Sequence, residues 1–250
     1  GKNHLNIRYD LLILQNNNLR FILTNDMHLE MFHITYFNTI CNKLNLLHNK
    51  NVRCIKLLDI SKTKLTKDMQ SLLIGISATS IINLNIRNTC LSDIQFLRTF
   101  SKLQVLDISY NNISDISYIQ ENRELKKFYC EWTHIKNLKG ITQCNKLRVL
   151  NISMNIYLTS NSILKFISEC TIKLVNLNLS CNTITNTILQ KLTDNFKSLK
   201  ELNLSGCKGN DIINTPLILF NQLKSNNYRE LIKLDLNYTY TNTVDNILLN

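Results

Sequence analysis

The chain has 250 residues, a formal charge of +11, a pI near 9.3 and 44% hydrophobic residues. That apolar content suffices for a folded core, and five glycines with one proline argue against long flexible linkers or disorder. No apolar run reaches the length of about 18 residues that a membrane-spanning helix needs, and no secretory signal pattern is visible.

Taken from the N-terminus, YDLLILQNNNL (Tyr9 to Leu19) places apolar residues at its first, fourth and sixth positions and asparagine at its ninth. A segment from Leu29 follows this spacing poorly. The spacing then returns without gaps in IKLLDISKTKL from Ile55, IINLNIRNTCL from Ile81, LQVLDISYNNI from Leu103 and LKKFYCEWTHI from Leu125. It continues in LRVLNISMNIY from Leu147 and LVNLNLSCNTI from Leu174. LKELNLSGCKG from Leu199 and LIKLDLNYTYT from Leu231 keep the first half and lose the last apolar residue. Alternation at positions 4 to 6 implies a very short strand, and the polar ninth position marks the turn that ends it.

These eight copies resemble the leucine-rich repeat, L-x-x-L-x-L-x-x-N/C-x-L. The resemblance implies an α/β solenoid: a parallel concave β-sheet with helices or 3₁₀ turns on the convex side. Residues 51–250 are read as that solenoid and residues 1–50 as divergent N-terminal repeats or a cap. One unit cannot bury its own leucines, so stability must come from stacking. The ninth-position amide should satisfy backbone groups buried at the turn. Threonine at Thr63, Thr89, Thr133 and Thr239 departs from the N/C rule, which leaves an imperfect polar ladder as the expectation.

Starts at Ile81, Leu103, Leu125 and Leu147 are 22 residues apart, too close for much helix, so extended or 3₁₀ returns are expected. Flanking units are longer. There NTILQKLTDNF (Asn186 to Phe196) puts Ile188, Leu189, Leu192 and Phe196 on one helical face, and Thr215-Pro216 reads as a helix start. At ~4.8 Å per strand, eight strands span roughly 35 Å.

Eight cysteines show no CxxC and no zinc-ligand spacing. Cys130 and Cys207 fill repeat core positions, and Cys181 should face the concave surface. Free thiols in a reducing, cytoplasmic compartment are the expectation, with no metal and no cofactor. His4, His28, His33, His48 and His134 match no triad or metal spacing. Asp59, Asp107 and Asp235 share a row without the companions a carboxylate enzyme needs, so no catalytic role is assigned.

Positions 3, 5, 7 and 8 are expected to line the concave face. Most residues there are small and polar. The exception is an island of Tyr110, Trp132 and Met154 with Tyr129 beside it, Trp132 being the single tryptophan. Lys127 and Arg148 flank it. Together these six residues form the expected partner-binding site, since tryptophan and tyrosine are enriched at binding hot spots. Over positions 2, 3, 5, 7 and 8 of the eight copies basic residues exceed acidic ones by only three, no basic stripe is present, and nucleic acid is therefore disfavoured. The expectation is a monomeric, non-catalytic scaffold that binds another protein through an acidic element. The alternatives are a nucleic-acid or acidic-surface binder, and the recognition arm of a larger enzyme such as a ubiquitin ligase adaptor.

Overall fold

A computed structural model describes residues 9–15, 18–23, 28–32, 57–62, 64–77, 81–209 and 231–238. Each repeat contributes a strand of three residues: β4 (Leu57–Asp59), β5 (Asn83–Asn85), β6 (Val105–Asp107), β7 (Lys127–Tyr129), β8 (Val149–Asn151), β9 (Asn176–Asn178), β10 (Glu201–Asn203) and β11 (Lys233–Asp235). These eight run parallel in unbroken register, each position pairing with its equivalent in the next repeat. The solenoid fold that the resemblance implies is the fold observed.

The N-terminal part differs from two further stacked repeats. β1 (Tyr9–Gln15) does extend the ladder, with Leu12 opposite Leu58 at the fourth position. β2 (Asn18–Leu23) and β3 (His28–Phe32) instead run antiparallel, in the order β3-β2-β1-β4. Pairing of Gln15 with Asn18 leaves room only for a two-residue connection, too short for the crossover that parallel strands need. The boundary at residue 50 and the helix start at Thr215 lie outside the described residues.

The core is one line of stacked apolar rungs. Leu84, Leu106, Phe128 and Leu150 at the fourth position and Ile86, Ile108, Cys130 and Ile152 at the sixth are fully buried. The convex returns follow repeat length. The three 22-residue units turn through 3₁₀ segments at Gln95–Thr99, Ser117–Glu121 and Ile141–Gln143. Longer units carry α1 (Lys67–Ser77), α2 (Ser160–Glu169) and α3 (Asn186–Asn195). Thr159 and Thr185 cap α2 and α3, their hydroxyls accepting from the N–H groups of Ser162 and Ile188 at 3.2 and 3.3 Å.

The turn after each strand is locked twice. First, the Asp or Asn at position 5 accepts the N–H two residues on. This holds for Asp59, Asn85, Asp107, Asn151, Asn178, Asn203 and Asp235, at 2.8 to 3.1 Å. The row of carboxylates is thus a row of turn locks. Tyr129 breaks it, and there the Ser109 hydroxyl of the preceding repeat accepts from the Glu131 N–H instead, at 3.0 Å. Second, the ninth-position amide bridges repeats. Asn155 donates to the carbonyls of Cys130 and Ile152 at 2.8 and 2.9 Å and accepts the Thr133 N–H at 3.0 Å.

The two ninth-position threonines among the described residues do not leave the ladder open, while Thr63 and Thr239 lie outside those residues. Thr89 and Thr133 are buried; the Thr89 N–H donates to the Asn111 Oδ1 at 2.9 Å and its hydroxyl to the Ile86 carbonyl at 2.8 Å, while the Thr133 hydroxyl donates to the Asn155 Oδ1 at 2.7 Å. A threonine therefore completes its turn by leaning on the following asparagine. One concave expectation is corrected here. Ser61, Ser109, Ser153 and Ser180 at position 7 are buried within the turn and do not face a partner.

One apolar position is also displaced. Tyr157 occupies the eleventh position of its copy but is exposed, and Leu158 takes the core site. The unit is longer than 22 residues, so the chain has slack to bulge at this point.

All six described cysteines are free thiols. Burial pushes Cys130, Cys144 and Cys207 up to about 12 and Cys170 up to about 11, from an ordinary value of 9.0. The unfolded chain ionises first, so the fold should lose stability as pH rises from 9.0 towards these values. Cys90 and Cys181 are exposed. Iodoacetamide should modify those two rapidly in the native protein and the buried four only in denaturant, read by mass spectrometry; rapid native labelling of Cys130 would contradict the register. Leu177→Asp puts an unpaired charge into the core and should unfold at least the adjacent repeats. Asn155→Leu leaves several buried backbone groups unpaired, each worth ~1–3 kcal/mol, and should lower the denaturation midpoint far more than Thr133→Ala.

Candidate functional site

Position 8 controls what the protein presents. Its backbone is left-handed in every described copy: Lys62, Asn88, Tyr110, Trp132, Met154, Cys181, Gly206 and Tyr238 have φ between 47° and 63°. Its N–H donates to the position 7 carbonyl of the next repeat, as from Tyr110 to Glu131 at 2.8 Å and from Trp132 to Ser153 at 3.0 Å. The backbone is fixed while the side chain is thrown off the core. An L residue here is strained by roughly 1–2 kcal/mol, which the flanking hydrogen bonds must offset.

The Tyr110 and Trp132 rings stack, with centroids 5.9 Å apart and planes 13° from parallel. The Arg87 guanidinium also lies over the Tyr110 ring, 4.0 Å from its centroid. Arg87 also approaches Glu131 at 3.3 Å and Asp107 at 3.9 Å, and the Tyr110 hydroxyl donates to Glu131 at 3.0 Å. Three consecutive repeats are thereby tied together through Arg87, Tyr110 and Glu131. Burial raises the Tyr110 phenol above its ordinary value, with the Glu131 carboxylate adding to it. Burial likewise raises Asp107, against the Ser109 hydrogen bonds and the Arg87 charge that lower it. Trp132 ends the stack and remains 53% exposed.

The six expected site residues occupy three places. Tyr110, Trp132 and Met154 lie at the C-terminal ends of the strands. Tyr129 and Lys127 lie on the sheet, where Tyr129 lines a shallow concave depression with Asn151, Asn178 and Asn203. Burial raises the Tyr129 phenol, with Asp107 adding to it. Arg148 stands at the opposite rim, before its strand, its guanidinium donating to the carbonyls of Leu147 and Asn145 at 2.7 and 3.3 Å. Lys126, Lys127, Lys200 and Lys233 are exposed at or just before the starts of β7, β10 and β11, with exposed Glu201 among them. The concave face therefore has a basic rim and an aromatic rim, which the expected single island does not distinguish.

Sequence reasoning missed His134, Ile156, Tyr157 and Lys208 at the aromatic rim. A groove of about 400 Å³ is lined by Trp132, His134, Met154, Ile156, Cys181, Gly206 and Lys208, among others. Ile156 is 79% exposed, and exposed Tyr157 meets His134 edge-on with centroids 5.0 Å apart. The available signal was the run Ile156-Tyr157-Leu158, three apolar residues where the repeat has room for one. Among the described residues no group of His, Cys, Asp and Glu is disposed to hold a metal, and no helix is long and apolar enough to cross a membrane.

The family model for leucine-rich repeats (two copies) matches residues 79–121. An internalin (inlF) of Listeria monocytogenes is 17% identical over 76% of this chain and 50% of its own, with a TM-score of 0.56. A leucine-rich-repeat protein of Leptospira interrogans is 21% identical over 78% of this chain and 51% of its own, with a TM-score of 0.50. The chain spans about half the length of these solved chains. No curated protein sequence matches it. The leucine-rich-repeat model thus matches residues 79–121, and the eight copies in register give the chain the fold of these solved repeat proteins.

Proposed function

We propose that the protein is a non-catalytic scaffold that binds another protein across its concave face, with Trp132 as the anchor. The observation that carries this reading is the exposed Trp132, stacked on Tyr110 and braced through Arg87 and Glu131. A large ring already held in place loses little conformational freedom on binding. Tyr129 and Met154 extend the contact, while Lys127 and Arg148 favour an acidic element on the partner. The Arg87 charge is engaged by carboxylates, so the free positive charge of the face lies at the strand starts. Free thiols support a reducing compartment.

Trp132→Ala should weaken partner capture by about thirtyfold or more, equivalent to ~2 kcal/mol, with the melting temperature little changed. Lys127→Ala should act more weakly, mainly on association rate and salt dependence. Normal partner binding by Trp132→Ala in a calorimetric titration would remove this assignment. A steep loss of binding with salt would instead favour a phosphate-bearing partner.

A further inference from the structure

Side-chain size falls along the left-handed row after the aromatic stack, from Trp132 through Met154 and Cys181 to Gly206. Trp132 thus ends as a wall and the smaller residues as a floor. Gly206 keeps that floor low: a Cβ on it would meet the Cys181 sulfur at 2.9 Å. Beyond Trp132, His134 and Ile156 form the side of the groove, with exposed Tyr157 edge-on to His134. Ile156 projects here because the chain bulges between Asn155 and Leu158, both buried.

Charge selects the occupant. Lys208 carries the single permanent charge among the lining residues, and its side chain is exposed. Its backbone is pinned, the N–H donating to Asn182 at 3.0 Å and the carbonyl accepting from Ile184 at 2.8 Å. Among the described residues Lys208 forms no ion pair. Glu131, the nearby acid at position 7, is held by Arg87. One cation beside an apolar groove does not suit a nucleic acid, which needs several phosphate contacts. It suits one carboxylate beside one bulky apolar side chain.

We propose that the groove from Trp132 to Lys208 receives an extended segment of a partner protein, seating an apolar side chain against Met154 and Ile156 and a neighbouring carboxylate on Lys208. This rests on the protein-binding reading above and adds the chemistry of the segment recognised. A phage-displayed library of random linear peptides, selected on the full chain, tests it. Selected peptides should share a bulky apolar residue with Asp or Glu at a constant offset. A labelled peptide of that consensus should bind Ile156→Asp and Lys208→Glu at least about tenfold more weakly, since both positions are exposed and their variants should keep the native melting temperature. Replacing its acid by lysine should restore binding to Lys208→Glu and weaken binding to the native chain.

Failure to enrich any peptide, a consensus without an acid, or equal binding to the variants overturns the proposal. So does a dimer of the native chain that Ile156→Asp dissociates, because a second copy would then fill the groove. Partner capture lost in Trp132→Ala but kept in Ile156→Asp and Lys208→Glu would overturn the groove alone and leave the scaffold reading standing.

Discussion

Each repeat must end its strand and reverse course within a few residues while its backbone polar groups are shut away from water. The rest of the structure depends on how this is met. The position 5 side chain accepts from position 7, the position 8 backbone turns left-handed, and the position 9 amide reaches carbonyls in its own repeat and the one before. Each buried polar group left unpaired would cost about 1–3 kcal/mol, as much as burying a leucine adds. Because these bonds cross between repeats, the turn also sets the stacking register. The leucine rungs then fill the space that the turns define.

A consequence is that core and surface are separated at one residue. Position 8 gives its backbone to the ladder and its side chain to solvent, so its identity is open to selection for binding. The same holds in part at position 7. Serine there closes the turn, whereas Arg87 and Glu131 reach out from it and brace the neighbouring ring. A binding rim can therefore be rebuilt in composition without disturbing the leucines beneath it.

Most of the fold was legible because repetition multiplies a weak local signal: one copy of LQVLDISYNNI says little, and eight in register say what stacks on what. The returns were legible from length alone, since a 22-residue unit has no room for a helix. Less was legible where the chain leaves the pattern. The turn of β1 into an antiparallel partner depends on pairing beyond the template, and the exposure of Ile156 and Tyr157 depends on which of three adjacent apolar residues reaches the core. The division of the concave face into a basic and an aromatic rim was hidden for another reason. Sequence rows show which repeat a residue belongs to, but not how far apart positions 2 and 8 stand along a strand. The Arg87–Glu131 pairing, two repeats apart in sequence and adjacent through side-chain reach, could only be seen as two separate charges.

The central claim is that position 8 serves binding and leaves stability to the turn. A variant carrying Tyr110→Gly, Trp132→Gly and Met154→Gly together tests it most directly. Glycine relieves left-handed strain of roughly 1–2 kcal/mol per residue, against a lost ring stack, Tyr110 hydroxyl bond and Arg87 ring contact worth about 0.5–1.5 kcal/mol each. The account predicts a denaturation midpoint equal to or above that of the native chain, with partner binding abolished. A midpoint that falls sharply, or partner binding that survives, would contradict it.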